Sequence, residues 1–394
     1  MTLSFMQAMT KAAELTRSGK LQEATVLIQS LLHRPSLDTS LPAANPNPVD
    51  AVIEGDFTRL DPAPPHAKAA PPKAKPGGGK RRAATSPLAE TLRKITAGGM
   101  PIRRPVSGQS DPVPKGAQYL SLTYRSAQGS RGYRLYIPAK RSAAPMPLII
   151  MLHGCTQTPE DFAVGTGMNA LAEEFGCLIA YPAQPSGANA QKCWNWYRPE
   201  DQMRDRGEPA LIAGLTRTIL SDHNADPART YIAGLSAGGA AAVVMAIAYP
   251  DIFSAVGVHS GLPAGSARDI PSAFSAMHSG SKGKPHKTFV PTIVFHGLAD
   301  STVHPDNGTA VMSQALNAMP GLHVMTRQGV AEGGHRYRAT AHHTADGRSL
   351  AEHWQIEGAG HAWAGGDPAG SYTDPKGPDA SRQMIRFFLQ HRHT

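Results

Sequence analysis

Five residues, Gly234-Leu235-Ser236-Ala237-Gly238, restrict the folds open to this chain more than any other feature. The run Arg229-Thr230-Tyr231-Ile232-Ala233 leads in with β-branched and aromatic residues, and small residues from Gly239 to Tyr249 lead out. The pattern predicts a strand that turns sharply into a helix. At such a turn, glycines two before and two after the serine let the two backbones approach closely enough to hold a strained hydroxyl in solvent. Ser236 is therefore the candidate nucleophile. The competing reading is a glycine-rich turn with an inert serine, and the five-residue match alone does not separate the two.

A nucleophilic serine needs a base, and the base needs a carboxylate to orient it. Pro291-Thr292-Ile293-Val294-Phe295-His296-Gly297-Leu298-Ala299-Asp300 reads as a buried strand that ends in a glycine turn carrying an acid. Asp300 is thus the expected orienter, with Asp306 and Asp346 as the acids further along. Of the downstream histidines, His353 sits inside the strand-like run Ala351 to Ile356. His361 instead lies in a glycine-bracketed loop, Glu357-Gly358-Ala359-Gly360-His361-Ala362-Trp363, from which an imidazole can reach the serine. His361 is the expected base. The apolar run Pro147 to Leu152 followed by His153-Gly154-Cys155 supplies a second strand end, so the backbone amides of Cys155 and Ala237 are the expected donors to an oxyanion.

His153-Gly154-Cys155-Thr156-Gln157, Tyr181-Pro182, Cys193-Trp194-Asn195-Trp196, Asp226-Pro227, the serine turn with Gly239, His259-Ser260-Gly261, His296-Gly297 with Asp300, and Gly360-His361-Ala362-Trp363 recur in order. Together they resemble the polyhydroxybutyrate depolymerase family of esterases, which also holds feruloyl and acetylxylan esterases. The resemblance covers roughly residues 115 to 390. It implies an α/β-hydrolase fold and a serine esterase acting on a polyester or on ester-decorated plant polysaccharide, with Ser236, Asp300 and His361 as the triad. It also brings Cys155 and Cys193 into active-site motifs, where either a disulfide or two free thiols would fit. Cys177 reads as a buried strand residue. Trp194, Trp196 and Trp363 flank these motifs and are expected to contact substrate, with packing beneath the site as the alternative. The chemistry needs no cofactor and no metal, and His342-His343 reads as a polar strand edge rather than a ligand pair. A thioesterase, a serine peptidase of the same fold and a non-catalytic particle-binding protein are the remaining classes. The peptidase usually adds a propeller domain, for which residues 1 to 113 offer no pattern.

The rest of the chain divides by composition. Residues 1–33 show two apolar-periodic helices, Leu3 to Thr16 and Leu21 to Leu32, broken at Ser18-Gly19. A lone hairpin cannot bury its own face, so it is expected to dock on a particle surface, a partner or another protomer. Residues 34–113 are rich in Pro and Ala with basic clusters at Lys80-Arg81-Arg82 and Arg103-Arg104, the signature of a disordered tether. The formal net charge of the 394-residue chain is +9. Without interleaved aromatics or a recognised motif, the basic stretch does not point to nucleic acid. No apolar run approaches the ~20 residues that span a bilayer. The start lacks a basic segment followed by an apolar one, so no standard secretion signal is read there. This favours the cytoplasm, although secreted relatives exist and the location stays open.

Residues 114–394 alternate short apolar strands with helices. An opening hairpin turns at Gln128-Gly129-Ser130, strands follow near Leu148, Leu178, Thr230, Phe253 and Thr292, and helices are expected at Asp161 to Phe175, Pro209 to His223, Ala240 to Tyr249 and Ser381 to His391. Such alternation predicts an α/β, doubly wound, mostly parallel sheet.

Overall fold

The structure is a computed structural model that describes residues 113–393 apart from 142, 318 and 320. The expected N-terminal hairpin and nearly all of the expected linker lie outside the described residues. Strands β1 (Gln118–Ser126), β2 (Gly129–Ile137), β3 (Met146–Leu152), β4 (Leu178–Pro182), β5 (Ala225–Leu235), β6 (Ala255–His259), β7 (Thr292–Gly297), β8 (His323–Val330), β9 (Arg336–His343) and β10 (Ser349–Ile356) form one sheet. Its order is β1-β2-β4-β3-β5-β6-β7-β10-β9-β8. Neighbours from β4 to β10 run parallel, while β1, β2, β8 and β9 pair antiparallel at the two flanks. This is the α/β-hydrolase arrangement.

Helices cover both faces, and the strands alternate to suit them. Ile150, Ile232, Val256 and Val294 face a layer built from α3 (Gly207–Asp222), α4 (Ala237–Ala248), α5 (Ile270–Ser279) and α6 (Asp306–Leu316). Their neighbours Ile149, Tyr231, Ala255 and Ile293 face α1 (Pro159–Thr166), α2 (Met168–Phe175) and α7 (Ala380–Phe388). A strand buried on both sides has no polar face, which is why β3, β4, β6 and β7 read as continuous apolar runs. On α7, Met384, Phe387 and Phe388 are fully buried as expected. A Cβ on Gly257 of β6 would press on Met384 and Phe388, so the small residue lets that helix settle against the sheet.

Two elements differ from the sequence expectation. The helix expected over Asp161 to Phe175 is two, because Gly167 adopts φ 62° and its N–H returns to the Ala163 and Val164 carbonyls, closing α1. Thr158 caps α1 by accepting from the Asp161 amide. Strands β8 and β9 form an edge hairpin, of which the sequence pattern marks only the His342-His343 end. Nearly every residue of β8 is exposed, so no apolar alternation announces it.

The parallel strands β3, β5, β7 and β10 all end at the same edge of the sheet, the edge at which ligands of open α/β folds bind. Direct pairing of β7 with β10 places the loop after Gly297 beside the loop after Ile356.

Candidate active site

At the end of β5, Ser236 adopts φ 58° and ψ −119°, a strained conformation for a residue with a Cβ. Its surroundings enforce it. The Ser236 amide donates to the His259 carbonyl (2.9 Å), and the Ser236 carbonyl accepts from the Ala240 amide (2.9 Å). A Cβ on Gly234 would strike the Gly238 backbone, and one on Gly238 would strike the Leu152 and His153 carbonyls. The flanking glycines thus bring the turn against the end of β3, where the expected oxyanion donors lie. As the first residue of α4, Ala237 has an amide with no intrahelical acceptor.

Asp300 is buried beyond β7. Its Oδ1 accepts from the amides of Thr302 and Val303 (2.9 Å each), and its Oδ2 accepts from His361 Nδ1 (2.7 Å). His296 Nε2 lies 3.5 Å from the same Oδ2 and 2.9 Å from the Val303 carbonyl. Burial alone would raise the Asp300 pKa, but the field of His361 and the hydrogen bonds from His296 and His361 outweigh it. The carboxyl is held well below the usual carboxylate range. The two loops are stitched together by Leu298 donating to the Ile356 carbonyl (2.8 Å) and Ala299 to that of Ala359 (2.9 Å). A Cβ on Gly297 would collide with the Ala359 and Gly360 carbonyls. The alternative acids fall elsewhere: Asp306 opens α6 with an exposed side chain, and Asp346 sits in the β9–β10 turn. His353 is a buried β10 residue, as expected.

The His153 turn is braced from below. His153 Nε2 accepts from the Gln184 amide (3.1 Å), so Nδ1 carries the proton and donates to the Gly154 carbonyl (2.7 Å). Burial pushes this imidazole down to about 4 and keeps it neutral. Gln157 accepts from the Gly154 amide (2.9 Å) while its Nε2 donates to Asp161 and to the Ser371 carbonyl (3.0 Å each). Cys155 and Cys193 are joined by a disulfide, which ties the turn to the loop before Trp194. Cys177 is free and buried, and burial pushes its thiol up to about 12.

The three tryptophans require a correction. Trp194, Trp196 and Trp363 are 0%, 7% and 1% exposed, so they pack beneath the site rather than presenting their faces to substrate. The Trp194 indole donates to the His153 carbonyl (3.0 Å). Trp196 meets Tyr197 edge to face. Trp363 donates to Ser381 Oγ (2.9 Å) and lies between Phe162 and His259. Burial of an indole is favourable where its N–H finds an acceptor, and Trp194 and Trp363 each have one.

Sequence reasoning missed a buried polar group behind the Cys193 loop. Glu208 accepts from the Asn195 amide and side chain (2.8 Å each) and from Gln184. Gln184 in turn accepts from Arg131 (2.5 Å). Burial and the nearby Asp201 raise the Glu208 pKa above the ordinary range. No local pattern marks a glutamate at a helix start as buried. Gln157 and His259 do lie within the recurring motifs, but their roles as braces depend on distant partners.

Known proteins with similar sequences place the chain in a family. A family profile described as "Esterase PHB depolymerase" matches residues 131–334, just over half of the chain. Poly(3-hydroxyalkanoate) depolymerase C of Paucimonas lemoignei is 33% identical over 232 residues, 55% of this chain and 55% of that protein. Feruloyl esterase B of Neurospora crassa is 30% identical over 206 residues, 47% of this chain and 68% of that protein. The chain therefore spans little more than half the length of the depolymerase it matches. Among solved structures, an acetyl xylan esterase from Aspergillus awamori superposes with a TM-score of 0.54 at 19% identity, over 70% of this chain and 99% of that one, a likeness of fold.

Proposed function

Because the chain belongs to the esterase PHB depolymerase family, we propose that it is a serine esterase that cleaves carboxylic esters through an acyl-enzyme, with a hydroxyalkanoate polyester or its oligomers as substrate. The observation that carries the reading is the 2.7 Å hydrogen bond from His361 to a buried, ionised Asp300, at the same sheet edge as a strained Ser236. Asp300 fixes the imidazole with its Nδ1 proton inward, which leaves Nε2 as the base. Ser236 Oγ attacks the ester carbonyl as His361 takes its proton, and the Cys155 and Ala237 amides receive the oxyanion. The proton then passes to the departing alkoxide. Water activated by the same imidazole releases the acid and restores Ser236. The polyester is favoured because the depolymerase relative shows the higher identity over the longer alignment. A feruloyl or acetylated-xylan substrate is the second reading, supported by the feruloyl esterase relative.

The test is turnover of p-nitrophenyl butyrate, then of hydroxybutyrate oligomers, methyl ferulate and acetylated xylan in parallel. Ser236→Ala and His361→Ala should each lower kcat by about 10⁴, with the double variant little worse, because the residues act as one unit. Additive losses would overturn the triad. Preference for ferulate or xylan over the oligomers would overturn the polyester assignment while leaving the esterase reading intact.

A further inference from the structure

Strand β6 runs between the strand that leads to Ser236 and the strand that leads to Asp300, and its last residue, His259, pairs with Leu235 on one side and Phe295 on the other. The His259 carbonyl accepts from the Ser236 amide (2.9 Å). Its imidazole is fully buried and stacks against both Phe295 and Trp363. Nε2 accepts from the amide of Ala364, three residues beyond His361 (2.9 Å). A backbone amide can only donate, so the ring proton sits on Nδ1 and is directed at Ser260 Oγ (3.2 Å). The Ser260 amide in turn donates to the Phe295 carbonyl (2.9 Å). One residue therefore holds the turn of the nucleophile with its backbone and the loop of the base with its side chain. Packing alone does not call for a histidine at this position. A phenylalanine would also stack against Phe295 and Trp363 and would bury no polar atom, but it would take away the acceptor of the Ala364 amide, whose residue is itself buried.

We propose that His259 is a positioning residue for ester cleavage, its Nε2 holding the Ala364 amide so that the His361 imidazole stands at a fixed reach from Ser236 Oγ; the role rests on the proposed function. Asp300 holds the His361 ring at Nδ1 alone, and a ring held at one atom still swings with the backbone that carries it. On its N-terminal side the loop is tied to the acid, through Ala299 donating to the Ala359 carbonyl. The Ala364 bond ties its C-terminal side to the residue that holds the Ser236 amide. Nucleophile and base are thus set against each other across a single side chain. Proton transfer needs that setting, because a misplacement of about 1 Å costs on the order of 10²-fold in rate. His259 touches no reacting atom and acts through His361.

Turnover of p-nitrophenyl butyrate by full-chain variants tests the role. His259→Phe should lower kcat by about 10²-fold with KM unchanged. His259→Gln, whose carboxamide oxygen reaches to where Nε2 stands, should recover kcat to within about tenfold of the unaltered protein. His259→Asn, one carbon shorter, should fall with the phenylalanine variant. The two amides bury the same polar group, so a difference between them reports reach rather than burial cost, and it can be read even where His259→Phe does not fold. Placed in the His361→Ala protein, His259→Asn should change the residual turnover by less than about twofold, because no base is left to position. Equal losses in the two backgrounds, equal turnover of the Gln and Asn variants, or a loss carried by KM would overturn the proposal and leave a histidine that only fills the core. An unaltered protein that cleaves no ester would refute the proposed function and this role with it. An active protein whose His259→Asn variant is equally active would refute the role alone.

Discussion

Ser236 sits where glycine would rest without strain, and a residue with a Cβ bears a cost of about 1–3 kcal/mol for that backbone. The strain is local, so its removal should be measurable. Ser236→Gly is expected to melt above Ser236→Ala while both lack turnover, because only glycine relaxes the turn, and its greater freedom in the unfolded chain offsets part of the gain. Equal melting temperatures would show that the turn holds no strain. Asp300 carries the complementary role. Its depressed pKa keeps it ionised well into acid pH, so the acid limb of the activity profile will not come from this carboxylate; a kcat/KM profile that falls with protonation of Asp300 would overturn its role as the ionised orienter.

At the scale of elements, the loop that carries His361 is anchored on its C-terminal side. Trp363 and Ala364 form β11, paired with β12 (Thr373–Asp374), and the Trp363 indole reaches Ser381, whose hydroxyl donates to the Thr166 carbonyl (2.6 Å). Trp363→Phe should lower both melting temperature and kcat, the latter severalfold, with KM for small and large esters shifted alike. A selective rise in KM for the larger ester would restore Trp363 to the substrate surface. The serine turn, the His153 turn and the Gly297 to Asp300 turn were legible because each comes directly after a doubly buried strand and needs glycines for close backbone contact. Burial of the tryptophans was not legible, since a Trp in a polar loop reads the same whether its indole meets a carbonyl from a distant strand or open solvent. The break at Gly167 was hidden by apolar residues that continue on both sides of it.

Across the whole molecule, histidines kept neutral by burial set the acid limit of stability. His153 and His391 are pushed down to about 4, and His259 and His353 to about 3. Each titrates near 6.5 once unfolded, so between those values the unfolded chain binds the additional protons and stability falls as pH falls, by up to about 1.4 kcal/mol per pH unit per group. Melting temperatures should be flat from pH 8 to near 7 and then drop steeply towards pH 5. A curve that stays level to pH 5 would show that these rings are already charged in the folded protein. The Cys155–Cys193 bond carries a different dependence, on electrons rather than protons. It closes a segment of the chain with a sequence separation of 38, for which loop-closure entropy gives roughly 4 kcal/mol, and one of its ends is the residue whose amide is assigned to the oxyanion. Reduction should therefore slow turnover with little change in KM and lower the melting temperature. Protein refolded with dithiothreitol and with oxidised glutathione will differ in specific activity if this holds. The rate of ester cleavage would then record the redox history of each molecule, and chains matured in an oxidising compartment would be the fully active ones.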